Sequence, residues 1–205
     1  MIRIALAKGK LFDEAIDLME KSGISVPADV RDPRKLHVTD KTGGRTFLAV
    51  RAQDVPTYVS QGAADVGVVG RDVLMEQESD LYQMLDLGVG ACRLVLAAKD
   101  PAVLGRSGAL RVATKYPALT NAYFLKKGRA CSVIKLYGSV ELAPLVNLAD
   151  AIVDLVSTGE TLRANGLVVI EEILRSTAIL VVNRVSLKMS KSTVEEFIAT
   201  IKRVI

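Results

Sequence analysis

The chain has 205 residues, half of them hydrophobic, and a formal net charge of +4 at pH 7. That length suits one large domain or two small ones with a proper core, and no apolar run approaches the ~20 residues of a membrane-spanning helix. Tryptophan is absent and aromatics are few, which argues against a base-stacking platform for single-stranded nucleic acid and leaves Val, Leu, Ile and Ala to build the core.

Residues 2–7 form an apolar strand, and Lys8-Gly9-Lys10 is a turn into an amphipathic helix over residues 11–21, stopped by Gly23. Two lysines at the end of a first strand invite an anion, although a solvated basic turn looks the same. A polar connection at residues 31–35 leads to a hairpin of residues 36–39 and 46–50, with His37 a partly exposed strand residue and not a catalytic base. Residues 54–61 read as a helix with Pro56 in its first turn. Residues 64–69 read as a buried strand whose flanking glycines shape tight turns, with Asp72 a candidate N-cap for the following helix. Residues 81–87 are a strand, and Gly88-Val89-Gly90 is a plausible hinge.

Beyond it, strands are expected at residues 93–98, 110–114, 132–137, 151–156, 168–174 and 178–182. Helices are expected at residues 117–127, at 138–145 after a turn, and at 193–205 with Ser190 or Ser192 as cap. Strands alternating with helices throughout give an α/β architecture.

The chemistry is expected in residues 150–167. An apolar strand carries one acid, Asp154; a hydroxyl-rich turn, Ser157 to Thr161, surrounds Gly159; helix follows over residues 162–165 and ends at Gly166. A loop of this kind before a helix offers unpaired N–H groups, and the hydroxyls of Ser157, Thr158 and Thr161 add donors, which together suit a phosphate monoester. Asp154, at the carboxyl end of its strand, is placed for sugar hydroxyls. The same residues also suit ordinary helix capping.

Cys92 and Cys131 are the only cysteines, too few for a disulfide framework, and the first strand begins with no charged leader or cleavage site ahead of it. Both point to a soluble cytoplasmic protein. One histidine and no cluster at ligand spacing make a dedicated metal site improbable, so any metal is expected to arrive on a phosphate substrate.

Four stretches, GAADVGVVGRD (62–72), VATKYP (112–117), KLYGSVELAPLVNLADAIVDLVSTGETLRANGL (135–167) and RSTAILVVN (175–183), closely resemble the ATP phosphoribosyltransferase family, which performs the first step of histidine biosynthesis. The resemblance runs over essentially the whole chain. It implies a two-domain fold like the type II periplasmic binding proteins with substrates in the interdomain cleft, residues 1–88 plus 184–205 forming one domain and 89–183 the other. The length resembles the family's short form, which implies a regulatory partner similar to histidyl-tRNA synthetase in a hetero-octamer. The implied reaction joins ATP and 5-phosphoribosyl 1-diphosphate, with magnesium on the diphosphate.

Residue roles follow from the same resemblance. The phosphoribosyl-binding loop spans 154–162: Ser157, Thr158, Gly159, Glu160, Thr161 and Leu162 hold the 5-phosphate, and Asp154 serves the ribose hydroxyls or the adenine amine. Lys8, Gly9 and Lys10 match the family's first loop, whose third position is commonly arginine; Lys10 offers a point charge in place of a bidentate fork. Arg34, Arg51 and Arg93 are further candidates for diphosphate and triphosphate contacts. Family members usually carry glycine at the position of Asn147. The competing readings are a non-catalytic small-molecule binding module of the same fold and a phosphoribosyltransferase acting on another base.

Overall fold

The computed structural model describes all residues, 1–205. It divides into two compact units: Met1–Leu74, Glu78–Gly90 and Thr177–Ile205 form the first, and Met75–Gln77 with Ala91–Ser176 the second.

The first unit is built on a six-stranded mixed sheet of β1 (Ile2–Ala7), β2 (His37–Asp40), β3 (Arg45–Val50), β4 (Val66–Gly70), β5 (Tyr82–Asp86) and β11 (Ala178–Val182), ordered β2-β3-β1-β4-β11-β5. β1 runs parallel to β3 and β4, while β2, pairing with β3, and β11, pairing with β4, are antiparallel. The buried strands β1, β4 and β11 read as continuous apolar runs because both sheet faces are covered. Ile4, Leu6, Val66, Val68 and Leu180 pack against α1 (Lys10–Lys21) and α8 (Lys191–Lys202) on one side. On the other, Ala5, Val69, Ile179 and Val181 meet α2 (Val55–Ser60) and α3 (Arg71–Glu76). Each fully buried Leu, Ile or Val side chain contributes about 1.5–3 kcal/mol of transfer free energy.

The second unit is a five-stranded sheet of β6 (Cys92–Ala98), β7 (Leu110–Thr114), β8 (Cys131–Lys135), β9 (Ala151–Val156) and β10 (Val168–Ser176), ordered β10-β6-β9-β7-β8. β7, β8 and β9 are mutually parallel, and β6 is antiparallel to its neighbours β9 and β10. Helix α4 (Pro117–Lys126) covers one face; α5 (Leu142–Leu145) and α6 (Glu160–Ala164) cover the other. The Glu76 carboxylate accepts from the N–H groups of Ala118 and Leu119, both at 2.9 Å, and so satisfies the open first turn of α4.

Three expectations are corrected. The second crossing falls at Ser176–Thr177 and not at 183–184, because β11 bonds to β4 and β5 of the first sheet; the first crossing lies at Gly90–Ala91. Asp72 is not an N-cap: the helix already includes Arg71, and Asp72 is buried inside it. Before the closing helix comes a short one, α7 (Arg184–Met189), capped by Asn183, whose Oδ1 accepts from Val185 and Ser186 at 2.9 and 2.8 Å; α8 then starts at Lys191, two residues before its expected start, with Ser190 at the N-cap position as expected but making no side-chain cap bond. The expected hinge glycines, Gly88 and Gly90, both have positive φ, +66° and +68°, conformations that L side chains rarely take.

Candidate functional site

Because β7, β8 and β9 are parallel, the loops that follow them lie at one end of the second unit's sheet. β6, running the other way, brings Arg93 at its start to the same end. The loop after β9 holds Ser157, Thr158, Glu160 and Thr161 exposed around Gly159, while Leu162 is buried and anchors the following turn in the core. Gly159 has φ +77°, and a Cβ there would come within 3.2 Å of Arg163 Nη1, so this position favours glycine. Arg163 Nη1 donates to the Thr158 carbonyl at 3.1 Å and ties the loop down, leaving the Ser157 and Thr161 hydroxyls toward solvent. Helix begins at Glu160, two residues before its expected start, so Glu160 and Thr161 belong to its first turn.

Asp154 is buried, 6% exposed, two residues before the end of β9. Its Oδ1 accepts from the N–H of Leu155 at 2.9 Å, and Lys115 Nζ lies 3.9 Å from its Oδ2. Burial pushes the carboxyl above its ordinary range and the nearby Glu141 charge adds to that, while Lys115 and the Leu155 amide oppose it. An acid held in this state is a functional-site candidate. Arg93 lies on the same sheet face and is engaged by Glu172 at 3.5 Å.

In the first unit the ends of β1 and β3 bring Lys8 and Arg51 side by side, with the Lys8 amide donating to the Val50 carbonyl at 2.8 Å. Gly9, at φ +102° and ψ −160°, adopts a conformation essentially reserved to glycine and opens α1 without a side-chain cap. Lys8 lines two cavities here. One, of about 330 Å³, includes Gly9, Arg31, Asp32 and Lys35; the other, of about 390 Å³, includes Leu48, Arg51 and Tyr58, with the exposed His37 at its wall.

Two of the candidate phosphate-binding cations are engaged elsewhere. Arg34 is 89% exposed and doubly bonded to Asp32 at 3.1 Å, and it lines neither cavity. Lys10 pairs with Glu14 at 3.5 Å. No group of three or more His, Cys, Asp or Glu side chains converges to hold a metal ion.

A sequence profile of the ATP phosphoribosyltransferase family, HisG, matches residues 51–203. The chain belongs to the ATP phosphoribosyltransferase family. It is 48% identical over 208 residues to an ATP phosphoribosyltransferase of Geobacter metallireducens, with 98% of this chain and 97% of that one covered. Among solved structures it is similar to the ATP phosphoribosyl transferase (HisG:HisZ) complex from Thermotoga maritima, at TM-score 0.84 and 36% identity, covering 100% of this chain and 98% of that one. A probable amino-acid ABC transporter extracellular-binding protein of Bacillus subtilis shares the fold alone, at TM-score 0.58 and 13% identity, covering 99% of this chain and 95% of that one.

For a member of the ATP phosphoribosyltransferase family, the residue that sequence reading left out of the site is Lys115. It stands within VATKYP, a stretch that carried the resemblance, but only the pairing of β7 with β9 brings it to Asp154.

Proposed function

We propose that this chain is the catalytic subunit of an ATP phosphoribosyltransferase, joining ATP and 5-phosphoribosyl 1-diphosphate to give N1-(5-phosphoribosyl)-ATP and diphosphate at the start of histidine biosynthesis. The observation that carries this reading is the loop of Ser157 to Thr161 next to the buried carboxylate of Asp154, in a chain that matches the named relatives over nearly its whole length.

Adenine N1 attacks the anomeric carbon of the ribose, the bond from that carbon to the diphosphate oxygen breaks, and diphosphate leaves with the electron pair. The N1 lone pair is available without deprotonation, so no general base or covalent intermediate is required. The chain's work is to position the reactants and to offset charge on the leaving group. In this reading the loop N–H groups and the Ser157 and Thr161 hydroxyls hold the 5-phosphate, and Asp154 accepts from the ribose hydroxyls. The cations Lys8 and Arg51 take phosphate oxygens. Magnesium arriving on the diphosphate supplies further charge neutralisation.

The HisG:HisZ complex of the Thermotoga maritima relative supports a separate partner subunit for this chain as well; a regulatory role for that subunit, a hetero-octamer and a cytoplasmic location belong to the same proposal. Histidine then acts through that subunit, and the isolated chain is insensitive to it.

The test is diphosphate release by the purified chain with ATP, 5-phosphoribosyl 1-diphosphate and magnesium, with and without the partner subunit, beside Asp154→Ala. Release that requires both substrates and collapses in the variant supports the reading. No release under either condition leaves a binding module of the same fold.

A further inference from the structure

Asp154 is a buried acid that also feels the charge of a second acid, Glu141, and its usefulness to a sugar depends on its own charge. An ionised carboxylate accepts hydrogen bonds at both oxygens, and charge-assisted bonds are about twice as strong as neutral ones. We infer that Lys115 is a positioning residue for Asp154: its ammonium, 3.9 Å away, keeps the buried carboxylate ionised and ready for the hydroxyls of a ribose phosphate. The inference rests on the phosphoribosyl reading above, and it supplies the reason that reading needs a cation at this position.

The placement of Lys115 follows from register. In the parallel pair, Ala113 of β7 faces Ile152 of β9. Two residues further along each chain stand Lys115 and Asp154, on the same face and in the same row, because side chains alternate with a period of two. The backbone on either side of Lys115 is held. Thr114 Oγ1 accepts from the Tyr116 amide at 2.8 Å, the Thr114 carbonyl accepts from Leu136 at 2.9 Å, Tyr116 is buried, and Pro117 opens α4. With its backbone fixed, the Cα–Cβ bond of Lys115 is aimed along the row that holds Asp154, and its side chain, 32% exposed, is still open to solvent.

No other cation does this work. On β6, Val95 stands directly opposite Asp154; Arg93, further along that strand on the same face, is drawn to Glu172 of β10 at 3.5 Å. On α6, Arg163 is spent on the Thr158 carbonyl, and Glu160 carries the wrong sign. Next to α5, Glu141 repels the carboxylate. Alternation along β8 turns Lys135 to the sheet face opposite that of Ile134 and Leu136, and there it lies over the Tyr137 ring. Without Lys115, Asp154 keeps one stabilising contact, the N–H of Leu155.

The test uses the full chain and two readouts. The first is the titration of the Asp154 carboxyl carbon by NMR in the ligand-free protein, assigned with Asp154→Asn. The second is the pH dependence of 5-phosphoribosyl 1-diphosphate binding by calorimetry in the presence of magnesium. In Lys115→Met the carboxyl midpoint moves to higher pH, and Kd measured below the wild-type midpoint rises about tenfold for one pH unit of coupling. The deficit narrows as pH is raised and Asp154 ionises unaided. Lys115→Arg restores both the midpoint and the binding, which a lost fold or a lost packing contact would not allow. An unmoved midpoint in Lys115→Met overturns the inference, as does a binding deficit that is the same at every pH. If the midpoint moves but the wild-type chain binds no 5-phosphoribosyl 1-diphosphate, the Lys115–Asp154 coupling stands and the phosphoribosyl reading fails.

Discussion

The carboxylate of Asp65 receives the guanidinium of Arg3 through parallel bonds of 3.1 and 2.8 Å and also accepts from the Arg3 amide at 2.8 Å. Ser186 donates a further bond at 2.6 Å, so this one acid joins β1, the start of β4 and α7. Burial pushes Asp65 upward, but the bonds from Arg3 and Ser186 and the Arg3 charge more than offset it and hold the carboxyl below its ordinary range. A lowered carboxyl stabilises the fold above its unfolded-state pKa, and the contribution is lost as pH falls through the lower, folded value. Asp65→Asn is therefore expected to cost about 2 kcal/mol at pH 7. Denaturant titrations should show the gap between variant and wild type shrinking as pH drops below 4. A gap that does not depend on pH would mean the network is held by packing and not by charge.

A second prediction concerns Asn147, where the family resemblance leads one to expect glycine. Asn147 has φ +59°, in the left-handed region, and its carbonyl accepts from Arg111 Nη1 at 3.1 Å. Asparagine tolerates that conformation better than other non-glycine residues, and glycine adopts it freely. Asn147→Gly should stay within about 0.5 kcal/mol of wild type, while Asn147→Val should lose about 1–2 kcal/mol. The loop precedes β9 and lies at the amino end of that strand, opposite Ser157, so neither change should alter turnover. Thermal melts alongside diphosphate release separate the two effects.

Most strands were legible because a fully buried strand is a short apolar run bounded by turn residues, and β1, β4, β9 and β11 all have that form. What an apolar run does not say is which sheet it joins. Ala178–Val182 looks like any buried strand, and only its hydrogen bonds to β4 and β5 assign it to the first unit. Helix α7 escaped notice because six residues, RVSLKM, are too few to show a 3.6-residue period, and its signal lay in the cap Asn183. The loop of Ser157 to Thr161 stood out in the sequence because its parts are contiguous. Lys115 and Asp154 are 39 positions apart in the sequence and become neighbours only through parallel register, as do Arg3 and Asp65 across 62.

Asp154 should trade stability for function. Its folded-state carboxyl is raised by burial and by Glu141, despite Lys115 and the Leu155 amide, so its ionised form at neutral pH works against folding. Asp154→Asn removes that charge at nearly constant volume. The variant is expected to melt about 2–4 °C higher, the equivalent of ~1 kcal/mol in a chain of this length, while diphosphate release falls by two orders of magnitude or more. The stability gain should vanish in acid, where the wild-type carboxyl is already protonated. A variant that melts lower than wild type at neutral pH would show that the ionised acid is structural and not held for a ligand.

The last prediction ranks the cations of the first unit by what they are already bonded to. Arg34 is committed to Asp32, Lys10 to Glu14, and Arg31 to Asp17 and Glu20 at 2.6 and 3.0 Å. Lys8 and Arg51 stand exposed at adjacent strand ends, and neither side chain carries an ion pair. A phosphate displaces nothing at Lys8 or Arg51, whereas at Arg34 it must first compete with a carboxylate. Exposed ion pairs are weak, at about 0–1 kcal/mol, so the competition reduces the contribution of Arg34 without abolishing it. Lys8→Ala and Arg51→Ala should therefore each raise KM for a phosphate substrate about tenfold, since a hydrogen bond to a charged group contributes about 1.5–3 kcal/mol. Arg34→Ala and Lys10→Ala should have the smaller effects. Steady-state kinetics with each substrate varied in turn check the order, and added salt should compress the differences, because exposed charges are screened. If Arg34→Ala proves the most damaging of the four, its bond to Asp32 is broken when substrate arrives, and the bonding of the free chain does not predict which cation binds.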